Sequence, residues 1–186
     1  MDKTAKTELH RTFLIEGLPE PLTQASSHLQ IFDNYIMDTR LRTRSIRDPY
    51  SNSWTYILQQ HHILTDAGGT RTNLVEMHLT HGELSIFLPH YGGEIRKNRY
   101  FHEFDLHLFA FDVYLGRLWG VNMASVGFES AEEMLRFTMP PFAVIEVTND
   151  PFFEGSNLIS KTFADIQEAV AKLGSELPAT SEMTDE

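Results

Sequence analysis

Polar and apolar positions alternate in short runs along most of the chain, as they do in β-strands whose successive side chains point to opposite faces of a sheet. Clusters of glycine, proline, aspartate and asparagine separate these runs and predict turns between them. The pattern therefore predicts eight or nine short strands. They are expected at residues 8–16, 29–37, 39–47, 54–63, 71–79, 94–100, 104–114, 116–128 and 142–148.

Three other stretches have helical spacing. Thr80, followed three residues later by Glu83, forms a capping-box pattern ahead of a short helix that reaches residue 88. Ser130 begins a second helix that ends near residue 137, before two consecutive prolines. Residues 157–173 carry apolar side chains near helical intervals and predict a third helix that closes at a glycine.

Together these elements predict an α+β fold. Its antiparallel sheet of eight or nine strands is expected to close into a tunnel-like β-barrel flanked by two or three helices. Residues 8–173 are expected to form this one domain. We expect residues 1–7 to be a mobile N-terminal lead and residues 174–186 to be a disordered acidic tail.

One predicted strand carries three arginines at alternate positions, Arg40, Arg42 and Arg44, so all three belong to one face. Positions two apart on a strand are separated by about 6.6 Å, and two positive charges at that distance repel by roughly 2.5 kcal/mol at an effective dielectric of about 20. Lys97 and Arg99 form a second basic row. If the sheet closes, both rows face one interior space, where a polyanion or a set of carboxylates must balance them.

The 186-residue chain has a formal net charge of −11, so bulk electrostatics do not favour binding to duplex nucleic acid or to an anionic membrane. A local basic cavity in such a chain would select a small, highly charged anion. The chain has no cysteine, which excludes disulfides, thiolate metal sites and a cysteine nucleophile. Its polar first residues and the lack of a long apolar stretch predict a cytoplasmic protein without a signal peptide or membrane helix.

Several segments in the expected order resemble motifs of the CYTH superfamily, the triphosphate tunnel metalloenzymes. Residues 8–15 resemble the opening Glu-x-Glu-x-Lys strand, and Tyr35 followed by residues 40–44 resembles the Arg-Leu-Arg strand. Residues 56–60 stand where the family has a strand ending in lysine, and residues 97–100 resemble its Lys-x-Arg-Tyr strand. The resemblance extends over residues 8–170 and includes segments 112–116 and 146–150 of the C-terminal half.

The resemblance implies an eight-stranded antiparallel closed tunnel and a family that includes class IV adenylyl cyclases, thiamine triphosphatases and inorganic or RNA triphosphatases. In that family, basic residues of the tunnel wall hold the triphosphate. Carboxylates on one side hold Mg²⁺ or Mn²⁺, which polarises the phosphoryl group or activates water. Carried onto this chain, the resemblance assigns phosphate binding to Arg40, Arg42, Arg44, Lys97 and Arg99.

The chain departs from the family pattern mainly on the metal side. His10 and Thr12 replace the second glutamate and the lysine of the opening motif, and Gln60 stands in for the lysine of the fourth strand. Ser125 and Gly127 replace both acids of the family's Ala-Glu-x-Glu-Phe strand. The residues assigned to phosphate binding are therefore better preserved than those of the metal site.

Of the four carboxylates expected on the metal side, Glu8 alone remains at a matching position. A site for Mg²⁺ or Mn²⁺ would have to combine Glu8 with Glu146 or Asp150, because hard cations require oxygen ligands. This combination needs the strands that carry the three acids to be adjacent. Without it, the chain would bind no metal.

Three functions follow from these observations. The first, which the missing acids favour, is a protein that binds a triphosphate, polyphosphate or nucleotide in a basic tunnel with weak or no turnover. The second is a metal-dependent triphosphatase or adenylyl cyclase-like enzyme with an altered metal site. The third is a non-catalytic structural or interaction scaffold, whose basic rows are neutralised by internal acids such as Glu76 and Asp112.

Aromatic residues crowd the segment 100–119, and an alternating strand cannot bury all of them on one face. Some must face a covering element, for which the C-terminal helix is the expected candidate, or a partner subunit. A homodimer is therefore a hypothesis for the assembly.

Overall fold

The computed structural model describes the backbone of residues 4–66, 69–148 and 150–176 and the side chains of residues 9–60, 74–148 and 150–173. Strands make up most of this part of the chain. They are β1 (Thr4–Ile15), β2 (Leu29–Ile36), β3 (Leu41–Asp48), β4 (Ser53–Asp66), β5 (Gly69–Leu79), β6 (Tyr91–Phe104), β7 (His107–Tyr114), β8 (Asn122–Phe128) and β9 (Ala143–Glu146).

All nine strands belong to one antiparallel sheet in the order β5-β4-β3-β2-β6-β7-β8-β1-β9. β1 changes partner along its length: its second half pairs with β8 and β9, whereas residues 4–8 pair with β5 from the other end of this order. The predicted α+β class and antiparallel sheet are confirmed. β1 begins at Thr4, so residues 4–7, expected in a mobile lead, are part of this strand.

Four α-helices lie in the described part of the chain: α1 (His81–Phe87), α2 (Ala131–Arg136), α3 (Gly155–Leu158) and α4 (Phe163–Glu176). Thr80 and Glu83 form the predicted capping box at the start of α1. The prediction of one continuous helix over residues 157–173 is wrong. The chain leaves helical geometry after α3, and Thr162 then exchanges hydrogen bonds with Asp165, which supplies a new N-cap for α4.

Two predicted strands are shorter in the structure. Asp105 and Leu106 both have positive φ, 48° and 63°, and form a turn where an uninterrupted strand was predicted from residue 104. The stretch after Tyr114 begins with a 3-10 turn, Gly116–Leu118, and β8 starts only at Asn122.

Two apolar clusters lie on opposite faces of the sheet, as the alternation of the strands requires. Leu14 belongs to the first cluster, together with Tyr114 and Met123, and its neighbour Phe13 belongs to the second. The loop and helices after β9 cover the first cluster through Phe153, Leu158 and Ile166.

Phe109 and Phe111 of β7 are buried in the second cluster, which α4 does not cover. The ring of Phe142 packs against Phe109 and Phe111 with centroid distances of 5.3 and 5.4 Å. The expectation that the C-terminal helix covers some aromatic residues of segment 100–119 is confirmed for Tyr114, since α4 packs through Ile166 in the first cluster, but not for Phe109 and Phe111. Among the described helices, none has the length and apolar character needed to cross a lipid bilayer.

Candidate functional site

The face of the sheet that carries the basic rows lines a cavity of about 940 Å³. Tyr114, Met123 and Phe153 contribute to the cavity wall and also belong to the first apolar cluster, which therefore closes one end of the cavity. The structure brings together at this cavity all five residues that the sequence assigned to phosphate binding: Arg40, Arg42, Arg44, Lys97 and Arg99.

Asp33 of β2 lies directly opposite Arg44 of β3 in the strand register. Arg44 donates from Nε to Oδ1 of Asp33 at 2.6 Å and from Nη2 to Oδ2 at 2.7 Å. The side chain of Asp33 is only 2% exposed, so this two-pronged pair is sealed from solvent. Nη1 of Arg42 lies 3.6 Å from Oδ2 of the same carboxylate, which makes Asp33 the shared counter-ion of two arginines.

Arg42 is held mainly by neutral groups. Its Nε donates to Oε1 of Gln59 at 2.6 Å, and its Nη1 donates to the hydroxyl of Tyr35 at 3.1 Å. Gln59 in turn donates from Nε2 to Glu76 on β5. A continuous belt of polar side chains therefore crosses four adjacent strands of the cavity wall.

Asp112 of β7 is the centre of a second cluster. Lys97 donates from Nζ to Oδ2 at 2.7 Å, and Arg99 donates from Nε and Nη2 to Oδ1 and Oδ2, both at 2.7 Å. Lys97 also lies over the ring of Tyr114, 5.4 Å from its centroid. Both cations of the second predicted row thus share one carboxylate.

The buried charges shift one another's pKa. Burial alone would raise the pKa of Asp33 and Asp112, but the adjacent cations outweigh it and hold both carboxyls well below their usual range. Burial lowers the pKa of Lys97 to about 8, although Asp112 opposes this shift. Both carboxylates are therefore ionised at neutral pH, and Lys97 titrates close to it.

Within the two buried clusters, cations outnumber carboxylates. Four largely enclosed cations, Arg42, Arg44, Lys97 and Arg99, share two buried carboxylates. The exposed Arg40, immediately before β3, also lines the cavity. Asp33 and Asp112 therefore balance two of the five cations of the basic rows.

The wall formed by β1 and β8 carries the positions at which the chain departs from the family motifs. His10 lies opposite Gly127, and Thr12 lies opposite Ser125. All four residues line the cavity. The departures that the sequence showed at distant positions therefore form one contiguous surface without a carboxylate.

The strand-four position assigned from sequence is displaced by one residue. Gln59 is fully buried, lines the cavity and binds Arg42, whereas Gln60 is not among the residues of the cavity wall. Because neighbouring residues of a strand face opposite sides, the match of Gln60 to the family lysine is wrong, and Gln59 occupies the inward position.

The candidate metal ligands are not brought together among the described side chains. The side chain of Glu8 lies outside them. Glu146 accepts a hydrogen bond from Nε of Arg11 at 2.9 Å and is not part of the cavity wall. Asp150 lines the cavity, but its Oδ1 accepts the N–H of Phe152 at 2.9 Å and caps a 3-10 turn.

Across the described residues, no three His, Asp or Glu side chains are close enough to share a metal ion. Acids do line the cavity in addition to Asp112, but they lie apart on β5, after β8 and in the segment before α3: Glu76, Glu129, Asp150 and Glu154. The described side chains therefore do not fit the Mg²⁺ or Mn²⁺ site that the resemblance implies.

Sequence reasoning missed Asp33, which is the most enclosed acid of the site. Its position offers one clue, since it lies two residues before Tyr35 and so shares the inward face of β2. That it opposes Arg44 depends on the register between β2 and β3, which the alternation of one strand does not reveal.

No family model matches the sequence, and no curated protein matches it significantly. Among solved structures, the inorganic triphosphatase NE1496 superposes with a TM-score of 0.56 at 19% identity, over 84% of this chain and 96% of that one. A second structure, of the hypothetical protein NE1496, gives 0.56 at 21% identity over 83% and 99%. A conserved hypothetical protein from Pyrococcus furiosus is more distant, with a TM-score of 0.46 at 14% identity over 69% and 85%.

The likeness to NE1496 extends over nearly the whole of that protein, and at this level of identity it concerns the fold. Both the order of the strands and the inward basic rows agree with the motifs found in the sequence. The chain therefore shares the fold of NE1496, which agrees with the fold that the resemblance in its sequence implies.

Proposed function

We propose that this protein binds a small polyanion, namely a triphosphate, polyphosphate or nucleotide, inside a closed tunnel and turns it over weakly or not at all. The observation that carries the proposal is the surplus of cations over carboxylates in the two buried clusters of the cavity wall. Arginine binds phosphate oxygens in the same two-pronged way as it binds a carboxylate, so Arg42 and Arg99 suit this ligand.

Closure of the tunnel is supported by β1, which pairs with both β5 and β8. A closed wall keeps water from the guanidinium groups, and a lower local dielectric strengthens their attraction to an anion. The apolar floor at Tyr114 and Phe153 makes the space a blind pocket at that end.

The scaffold alternative requires the internal acids to neutralise the basic rows. Asp33 and Asp112 neutralise only two of four enclosed cations, and Glu76 is hydrogen-bonded to neutral Gln59. Within each cluster two cations share one carboxylate, and their mutual repulsion costs folding free energy unless a ligand balances it. Retaining these cations therefore favours ligand binding over a purely structural role.

Weak turnover follows from the wall of β1 and β8. His10, Thr12, Ser125 and Gly127 offer an imidazole, two hydroxyls and no carboxylate. Without a carboxylate set, this wall gives no strong site for the hard cation that would activate water or polarise the phosphoryl group.

A metal-dependent triphosphate hydrolase is the second candidate, because the fold is shared with a protein described as an inorganic triphosphatase. In that case Glu8 would be one of its acids together with Asp150, which lines the cavity.

Calorimetry with tripolyphosphate in the presence of EDTA tests the proposal. We expect saturable binding of one ligand per chain with no phosphate release. The proposal is wrong if the titration shows no binding heat and a competition assay shows no protection. Phosphate release over many turnovers after addition of Mg²⁺ or Mn²⁺ would establish the second candidate in place of a non-catalytic role.

A further inference from the structure

We propose that the cavity takes its polyanion free of metal, and that Mg²⁺ weakens binding because it competes with the cavity for the same ligand oxygens. This inference rests on the proposed function and states the form of the ligand that the site accepts. It follows from where the cations and the carboxylates of the cavity lie.

Protein cations occupy one side of the cavity. Arg42 and Arg44 of β3 face the same space as Lys97 and Arg99 of the nearby β6. Their N–H groups offer the charge and the hydrogen bonds that a bound Mg²⁺ would otherwise supply to phosphate oxygens. This side can therefore hold a polyanion through direct charge-assisted hydrogen bonds, without a bridging metal ion.

The opposite side, formed by β1 and β8, offers a metal ion few ligands among the described side chains. On β1 and β8 the cross-strand pairs His10–Gly127 and Thr12–Ser125 bring no carboxylate into the cavity. Mg²⁺ demands oxygen ligands in octahedral geometry and is usually bound through one or two carboxylates in addition to substrate phosphates.

The two buried carboxylates are already bound by arginines of the protein. Both oxygens of Asp33 accept hydrogen bonds from Arg44, and both oxygens of Asp112 accept hydrogen bonds from Arg99, at 2.6–2.7 Å. To bind a metal ion, either carboxylate would have to release an enclosed guanidinium. The other acids of the cavity wall, Glu76, Glu129, Asp150 and Glu154, lie apart from one another. A Mg²⁺–polyanion complex would thus bring two positive charges next to the basic rows without a cluster of described carboxylates to bind them.

The experiment compares the dissociation constant of tripolyphosphate with EDTA and with Mg²⁺ at equal ionic strength, adjusted with KCl. With Mg²⁺ tenfold above its own dissociation constant for tripolyphosphate, competition should raise the apparent dissociation constant by about tenfold. A lower dissociation constant with Mg²⁺ would overturn the inference and leave the proposed function in place. No binding under either condition would overturn the proposed function itself.

A paired substitution tests the physical cause. In Ser125→Glu/Gly127→Glu, carboxylates return to the β8 wall. A Cβ at residue 127 would meet only an ordinary contact, 3.9 Å from the carbonyl oxygen of Leu9. We expect Mg²⁺ to strengthen tripolyphosphate binding in this variant.

The matched control is Ser125→Gln/Gly127→Gln, which has the same size without the charge. We expect Mg²⁺ to weaken binding in the control as in the wild type. If the glutamate and glutamine variants respond alike to Mg²⁺, the wall does not set the metal response and the inference is wrong.

Discussion

The guanidinium of Arg44, which lines the cavity, donates to both carboxylate oxygens of the buried Asp33, at 2.6 and 2.7 Å. The pair has two consequences. It holds β2 against β3 beside the cavity. It also gives Arg44, one cation of the basic row, a structural role. Arg42 lies two residues before Arg44 on the same strand, and its hydrogen-bond partners are mainly neutral.

Asp33→Asn should therefore destabilise the fold, because it leaves the enclosed Arg44 without its counter-ion. Removal of one partner of a buried ion pair typically costs roughly 3–5 kcal/mol. The free energy of unfolding in urea measures this loss. Glu94→Gln, which removes the partner of the exposed Arg96, is the control and should leave the unfolding midpoint unchanged. Equal effects of the two substitutions would contradict a structural role for Asp33.

Arg42→Gln should weaken polyanion binding and leave the fold intact, because Asp33 keeps Arg44 when Arg42 is removed. A lost charge-assisted hydrogen bond of roughly 1.5–3 kcal/mol corresponds to about a ten- to hundredfold rise in the dissociation constant. Calorimetry with tripolyphosphate gives the constant, and thermal unfolding checks the fold. Arg96→Gln is the matched control, since Arg96 is exposed on the outer face beside Lys97. Equal binding by wild type and Arg42→Gln would contradict the proposed site.

Polyanion affinity should fall as the pH rises above about 8, the pKa to which burial lowers Lys97. Below that pH the ammonium is charged in both the free and the bound protein. Above it, binding an anion must restore the proton, so affinity falls by up to about tenfold per pH unit. The ratio of wild-type to Lys97→Met affinity, measured across this range, cancels the titration of the ligand. A ratio that does not change with pH would contradict the charge assigned to Lys97.

Gly155→Ala should disturb the cavity through Tyr35. A Cβ at residue 155 would overlap the hydroxyl oxygen of Tyr35 and lie 2.7 Å from its Cζ. Because that hydroxyl accepts a hydrogen bond from Arg42, we expect weaker polyanion binding and a loss of stability of about 1–3 kcal/mol, as is usual for overpacking. Calorimetry and urea unfolding measure the two effects. Gly17→Ala, where a Cβ would meet nothing within 4 Å, should change neither.

Most strands of the sheet could be predicted from the sequence, because turns and the alternation of polar and apolar residues are local properties. Asp38, predicted in a tight turn, has a φ of 56° between β2 and β3. The break between α3 and α4 was missed, because apolar spacing over residues 157–173 concealed the competing cap that Thr162 and Asp165 form. Local hydrogen bonding by these short polar side chains overrode the helical period.

The site was predictable on its basic side only. Alternation places Arg42 with Arg44 and Lys97 with Arg99, and the structure brings both rows to one cavity. The counter-ion Asp33 was missed because its role depends on strand register. Register also separates the inward Gln59 from Gln60, since a shift of one residue moves a side chain to the other face.

The divided pairing of β1 also protects the outermost strand of the sheet order. Residues 4–8 cover the free side of β5, whose register with them runs from Thr72 to Glu76. A chain shortened by its first eight residues would present that row of N–H and C=O groups to solvent, and such bare strand edges recruit strands from other molecules. The N-terminal segment thus protects the protein against self-association. Affinity tags or truncations are therefore better placed at the opposite terminus.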